Sequence, residues 1–209
     1  MKHKPMLFRK METEGSGRAR EIIGLVGTRA GIGVTYTGML LAFYLGNELG
    51  RRTAFVEYCN HKDMELIQRV YEWSDEDGIS FHFRNITCYK NVNSKQLADI
   101  QGENYEYIII DFGSDFVDIQ EEFLRCSLKA VIAGHSEWDI LKLLSFFGSH
   151  EMLRCSETWN YLIPLAEDRL VTRLKKETHH RIWAIPYTEE PTRPNRNTKQ
   201  FCKDLLRLA

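Results

Sequence analysis

The sequence predicts an α/β protein with one doubly wound, mostly parallel β-sheet flanked by helices. Short apolar runs alternate with segments of helical spacing along nearly the whole chain. The run EYIIIDFG (Glu106–Gly113) contains consecutive isoleucines, which is typical of a strand covered on both faces. Because strands that alternate with helices favour parallel pairing, these observations indicate a parallel sheet between two helical layers.

Eight apolar runs predict the strands of this sheet. Two of them, ISFHF and ITCY, are short and close together, and they are typical of either edge strands or a hairpin. The other six are bounded by turn residues and are expected to be buried. They are EIIGLVG (Glu21–Gly27), TAFVEY (Thr53–Tyr58), EYIIIDFG (Glu106–Gly113), SLKAVIAG (Ser127–Gly134), WNYLIPL (Trp159–Leu165) and RIWAIPY (Arg181–Tyr187).

Helical spacing predicts the segments between the strands. The first helix is expected over Thr35–Leu49, and Gly50 ends it. Ser136 is expected to cap a helix that runs to Phe147, with Asp139 as a weaker form of the capping-box acid. Further helices are predicted around Met64–Tyr71, Ser94–Ile100, Ile119–Leu124, Asp168–Lys176 and Thr198–Leu208.

Composition and charge limit the domain organisation and the classes of partner. Residues 1–20 are basic and lack the apolar run of a signal peptide, so we expect a flexible basic arm followed by a single domain over residues 21–209. The net charge of −1 gives no global indication of nucleic acid or an anionic membrane as a partner, so nucleic acid is not expected and a membrane is not indicated. Five cysteines without a Cys-x-x-Cys pair indicate reduced thiols in a cytoplasmic protein.

A glycine-rich turn joins the first strand to the first helix. Glycines allow backbone N–H groups to approach an anion, and the helix N-terminus adds partial positive charge. Gly27, Gly31 and Gly33 lie in this turn, and Thr35 follows with a hydroxyl that can hold Mg²⁺. A tight turn that binds no ligand would show the same glycines, so the turn alone leaves both interpretations open.

Several motifs in order resemble those of the ParA/MinD-type P-loop ATPases of the SIMIBI class, including their TadZ-like branch. The family's deviant Walker A motif, K-G-G-x-G-K-[ST], is matched in degenerate form by RAGIGVT, Arg29–Thr35. AFVEYC stands where the family has V-D-x-D, YIIIDFG resembles the Walker B strand with Asp111 at its end, and Ile185-Pro186 matches the family's last strand. The resemblance covers about Glu21 to Ala209 and implies a P-loop NTPase fold.

The resemblance also implies a site for ATP or ADP with Mg²⁺. Thr35 would hold the metal ion, with Asp111 acting through water. Glu57 and Arg29 are the catalytic candidates: Glu57 would place the attacking water, and Arg29 would take the place of the signature lysine that contacts phosphate across a dimer. The implied nucleotide-binding residues are Gly27, Arg29, Gly31, Ile32, Gly33, Val34, Thr35, Tyr36 and Pro186.

Departures from the family pattern fall on the residues that carry its chemistry. Val34 replaces the lysine that reaches the β- and γ-phosphates, and its neutral side chain supplies no charge. Glu57 and Cys59 replace the two acids of V-D-x-D, and Pro164 stands where the family often has an adenine-reading Asn. The sequence therefore predicts a weak nucleotide binder or pseudo-ATPase that serves as a localisation, scaffold or regulatory factor.

Two alternatives stay open at the level of sequence. The first is an active ATPase of the same family in which Arg29 replaces the missing lysine. The second is an interaction module whose glycine loop binds nothing. The resemblance implies a homodimer and a protein partner in a secretion, pilus, partition or polar assembly, without choosing among these.

Overall fold

The computed structural model describes residues 20–58, 62–71, 78–150, 153 and 156–208. Over this part of the chain it confirms the predicted α/β fold, with eight strands in one sheet and seven α-helices. The predicted basic arm lies outside the described residues except for Arg20, and so do Cys59 and Cys155. None of the described helices is both long enough and apolar enough to cross a membrane.

The strands coincide with the eight apolar runs of the sequence. Their side chains are almost all buried in the centre of the sheet, as expected for strands covered on both faces. The strands are β1 (Glu21–Gly27), β2 (Thr53–Glu57), β3 (Ser80–Phe83), β4 (Ile86–Tyr89), β5 (Tyr107–Asp111), β6 (Leu128–Ile132), β7 (Asn160–Pro164) and β8 (Arg181–Ile185).

The helices alternate with the strands. A short 3₁₀ turn, Ser156–Thr158, precedes β7. The helices are α1 (Val34–Phe43), α2 (Asp63–Tyr71), α3 (Ser94–Gly102), α4 (Phe116–Arg125), α5 (Glu137–His150), α6 (Asp168–Thr178) and α7 (Arg196–Leu205).

The sheet has the strand order β3-β4-β2-β5-β1-β6-β7-β8. All pairs are parallel except β3–β4, which is an antiparallel hairpin, so the hairpin interpretation is confirmed. Only β3 is an edge strand, because β4 lies between β3 and β2. The connections after β1 and β5 leave in opposite directions along the sheet, although these two strands are neighbours. Ligands of open α/β sheets bind at such a switch point, beyond the carboxyl ends of the strands.

Two apolar layers cover the sheet. One contains α1 with residues of α2 and α7, and the other contains residues of α3, α4, α5 and α6. α1 buries eight of its ten residues, so it lies in the core rather than on the surface. This placement fixes the start of α1 against the carboxyl end of β1.

The first helix differs from its prediction in its second half. The α-helical part ends at Phe43, and Tyr44–Glu48 forms a π-helical turn. Gly46 in this turn packs so closely against the Asn85 carbonyl and the Ile86 side chain that a Cβ would overlap them. Gly50, with φ of +62°, follows the turn, as its role as a helix stop predicts.

Candidate functional site

The loop between β1 and α1 has the backbone geometry of an anion cradle. Gly31 and Gly33 have φ of +70° and +101°, values that favour glycine. The Gly33 carbonyl accepts the Thr37 backbone N–H at 3.0 Å and the Thr37 hydroxyl at 2.8 Å, which fixes the first turn of α1. The free N–H groups of this turn and the helix dipole together favour a bound anion.

A cavity of about 470 Å³ opens above this loop at the carboxyl edge of the sheet. It brings together seven of the residues predicted for the site: Arg29, Gly31, Gly33, Val34, Thr35, Tyr36 and Asp111. Four other predicted residues, Gly27, Ile32, Glu57 and Pro186, are not among its lining residues. Asp63, Gly113, Ser114 and Ala30 complete the lining and were not predicted.

The Thr35 hydroxyl lies between two carboxylates. Its Oγ1 is 2.6 Å from Asp111 Oδ2 and 3.2 Å from Asp63 Oδ2. The other oxygen of Asp111 accepts the Gly113 backbone N–H at 2.9 Å, which orients this carboxylate toward the loop. One hydroxyl and two carboxylates are hard oxygen ligands that fit Mg²⁺, which usually keeps several waters and binds few protein groups. No cluster of three or more His, Cys, Asp or Glu side chains in the described part of the chain offers a fuller metal site.

Val34 is packed under the loop. Its side chain is 8% exposed and belongs to the core layer around α1. A Cβ added at Gly27 would lie 2.9 Å from Val34 Cγ2 and 2.7 Å from Ile32 Cγ2, so Gly27 gives these two side chains room. The position that holds a lysine in the family pattern is therefore filled by a core residue.

Arg29 is engaged in an ion pair within the chain. Its Nε and Nη2 donate to the two carboxylate oxygens of Asp139 at 2.6 and 3.4 Å. Asp139 also accepts the Ser136 hydroxyl at 2.6 Å, and its carboxylate packs directly against Gly134. The hydrogen bonds from Arg29 and Ser136 lower the pKa of Asp139 to about 2, and the same ion pair raises the pKa of Arg29.

Solved structures with the same architecture were found by comparison. No protein-family model matches the sequence, and no curated protein matches it. A plasmid partition protein from Borrelia burgdorferi B31 bound to AMPPNP superposes with a TM-score of 0.64 at 15% identity, over 91% of this chain and 98% of that one. MinD from Aquifex aeolicus, in a MinC:MinD complex, gives 0.63 at 14% identity over 90% and 94%. The chain has the ParA/MinD-type P-loop fold.

This fold serves more than one chemistry. Cobyrinic acid a,c-diamide synthase from Mycobacterium smegmatis, with bound ATP analogue and magnesium, matches with a TM-score of 0.63 at 12% identity, over 90% of this chain and 95% of that one. Because the fold is shared by partition proteins and a synthase, it does not determine the activity, which depends on the side chains of the site.

Glu57 occupies a buried position at the end of β2 in the ParA/MinD-type fold. It is 1% exposed, and its carboxylate accepts three backbone N–H groups: Asp63 at 2.8 Å, Met64 at 3.3 Å and Asn91 at 3.3 Å. Burial raises its pKa, and these hydrogen bonds counteract part of the increase. Glu57 thus holds the start of α2 and the segment after β4, and does not line the cavity.

Tyr36 links the first turn of α1 to the segment after β8. Its hydroxyl donates to the Thr188 carbonyl at 2.7 Å, two residues beyond Pro186. Burial raises the pKa of Tyr36. Pro164, at the end of β7, presents its carbonyl to His135 Nδ1 at 3.1 Å.

Asp63 is an acidic side chain of the cavity that the sequence interpretation did not predict. The spacing of Met64 and Ile67 predicted the helix, but gave no role to the residue just before that pattern. A usable signal exists: Asp63 begins the helix that follows β2, and β2 ends at the same sheet edge as β5 and its Asp111.

Proposed function

We propose that the chain is a ParA/MinD-like protein that binds a nucleotide weakly, hydrolyses it little, and serves as a localisation, scaffold or regulatory factor. One observation carries the proposal. Arg29 is the sole cationic side chain among the described residues that line the cavity, and it is paired with Asp139. Since position 34 is an apolar core residue, the loop offers backbone amides without the charge that phosphoryl transfer requires.

The retained groups support binding. The backbone around Gly31 and Gly33 would receive phosphate oxygens, and the first turn of α1 would add its dipole. Thr35 would hold a magnesium ion through its hydroxyl, and Asp111 would act through water. When bound, the ion supplies positive charge to the phosphates, which in part offsets the lysine missing at position 34.

The alternative is an active ATPase that uses Arg29, and the exposure of that side chain favours it. Arg29 lines the cavity and is 39% exposed, so its guanidinium could turn toward a phosphate in its own chain or across a dimer. It would first have to leave Asp139. This alternative requires that Arg29→Ala abolish turnover.

The proposed setting follows the solved structures of the same fold. MinD is found in complex with MinC, and a partition protein is found with a nucleotide analogue. We propose a cytoplasmic homodimer that works with a protein of a secretion, pilus, partition or polar assembly.

Calorimetric titration with Mg-ATP and Mg-ADP tests the proposal, together with a steady-state hydrolysis assay. We expect weak binding by the wild type, its loss in Thr35→Ala, and hydrolysis at the rate of the buffer control. Hydrolysis at an ordinary P-loop rate that disappears in Thr35→Ala would overturn the pseudo-ATPase assignment. No binding up to millimolar nucleotide would overturn the nucleotide site itself.

A further inference from the structure

We infer that Asp63 supplies the second carboxylate to a divalent cation held at Thr35, and that the buried Glu57 is the residue that positions it. This inference rests on the proposed function, because the cation would accompany a nucleotide. It gives the first residue of α2 a metal-binding role, whereas the sequence pattern gave Glu57, at the end of β2, the placing of the attacking water.

The end of β2 cannot present its acid to the cavity. Both carboxylate oxygens of Glu57 are engaged, Oε1 by the amides of Asp63 and Met64 and Oε2 by the amide of Asn91. With 1% of the residue exposed, little of it meets solvent. A carboxylate that accepts several backbone N–H groups is held in place by them, so Glu57 is not free to orient a water in the cavity.

The same hydrogen bonds determine where Asp63 lies. Glu57 Oε1 binds the first two amides of α2, which have no partner within the helix, and so caps the helix from outside. Anchored in this way, Asp63 directs Oδ2 to 3.2 Å from Thr35 Oγ1. Glu57 and Asp111 are also paired in register at the ends of the adjacent strands β2 and β5. The same edge of the sheet therefore places Asp111 directly and Asp63 through Glu57.

The arrangement of charge around Thr35 points to a cation. The single hydroxyl hydrogen can serve one carboxylate at a time, and the shorter distance of 2.6 Å assigns it to Asp111. Asp63 is then the second carboxylate beside the same hydroxyl oxygen. A divalent ion with its waters uses the oxygens of all three side chains.

Manganese binding tests the inference with a readout independent of turnover. Mn²⁺ affinity is measured by electron paramagnetic resonance in the presence of saturating ADP, and ADP affinity is measured separately in EDTA. Asp63→Asn should weaken Mn²⁺ binding about tenfold, as loss of a metal-supporting carboxylate does, and leave ADP affinity in EDTA unchanged. Asp118→Asn, another first-turn acid, on the exposed face of α4, is the matched control and should change neither.

Glu57→Gln tests whether Glu57 positions Asp63 without itself binding the metal ion. It should weaken Mn²⁺ binding although residue 57 does not line the cavity, with ADP affinity in EDTA retained. Wild-type Mn²⁺ affinity in Asp63→Asn would overturn this inference alone. Wild-type Mn²⁺ affinity in Glu57→Gln would overturn the positioning role. If the unmodified protein shows no binding of ADP or Mn²⁺, the proposed function fails and this inference fails with it.

Discussion

Arg29 and Asp139 join the glycine-rich loop after β1 to the first turn of α5 through two hydrogen bonds, at 2.6 and 3.4 Å. The two side chains differ in exposure, with 39% for Arg29 and 10% for Asp139. The carboxylate is therefore the fixed partner, held also by Ser136, and the guanidinium is the group that can leave. Under the proposed function, an incoming phosphate would have to compete with this carboxylate for Arg29.

Removing the negative charge of Asp139 should strengthen nucleotide binding. In Asp139→Asn the guanidinium keeps a weaker neutral partner, so it can turn toward a phosphate at less cost. We expect a several-fold gain in Mg-ATP affinity by calorimetry, on the order of 1 kcal/mol. The double variant Arg29→Ala/Asp139→Asn should lose the gain. An unchanged affinity in Asp139→Asn would show that Arg29 does not reach the ligand.

The same pair should make stability depend on pH in the acidic range. The folded-state pKa of Asp139 is about 2, below the value of about 3.9 for aspartate in an unfolded chain. The contribution of the pair is therefore fully present above pH ~4 and is lost as the pH falls through the folded-state pKa. In thermal denaturation, the Tm of the wild type should exceed that of Asp139→Asn by a constant amount at neutral pH, and this difference should narrow below pH ~4. A difference that persists unchanged at low pH would show that it does not come from the ionised Asp139 carboxylate.

A lysine at position 34 should restore part of the missing charge. In Val34→Lys the ammonium has to leave the apolar space under Gly27 and enter the cavity that Val34 lines. We expect about tenfold tighter Mg-ATP binding, together with a lower Tm because the buried valine is lost. Val34→Met is the matched control, since it is long and uncharged and should bind no better than the wild type. Equal affinities of the two variants would mean that the cradle does not hold phosphate.

The π-helical turn after α1 should tolerate no side chain at Gly46. A Cβ there would overlap the Ile86 side chain and lie 3.0 Å from the Asn85 carbonyl oxygen, so Gly46→Ala should destabilise the fold by about 1–3 kcal/mol. Gly148→Ala in α5 is the control, because a Cβ at that exposed helical position meets nothing within 4 Å. It should be neutral or slightly stabilising in urea denaturation. Similar effects at both glycines would show that the close approach to β4 relaxes easily.

The sheet was largely predictable from the sequence, and the site only in part. Eight apolar runs marked eight strands. Six of them are buried parallel strands with a continuous apolar signature, and the other two, β3 and β4, were recognisable as a pair of short runs close together. Thr35 was predictable as a cavity residue because it follows the glycines of the turn after β1, and Asp111 because it is the last residue of β5. Their 2.6 Å contact joins residues 76 positions apart, and it depends on β1 and β5 being neighbours in the sheet.

The partners of the charged groups could not be predicted. Arg29 and Asp139 are 110 residues apart, and local spacing suggested for Asp139 only a capping role. In the structure its backbone N–H does donate to the Ser136 oxygen at 3.2 Å, but its carboxylate accepts from the Ser136 hydroxyl and Arg29. Glu57 was likewise assigned a role by its place in a motif, whereas its orientation follows from the amides that α2 and the segment after β4 bring to it.

The burial of α1 should make the two sides of the site differ in how fast their backbone amides exchange with deuterium. Eight of the ten residues of this helix are enclosed by the sheet and the helices beside it, so its amides should exchange with deuterium only when the whole domain opens. Asp63 and Asp139 instead lie at the starts of more exposed helices, whose outer faces include Leu66 and Trp138 at 57% and 77% exposure. Any motion that accompanies ligand entry should therefore be carried by α2 and α5, while α1 stays in place.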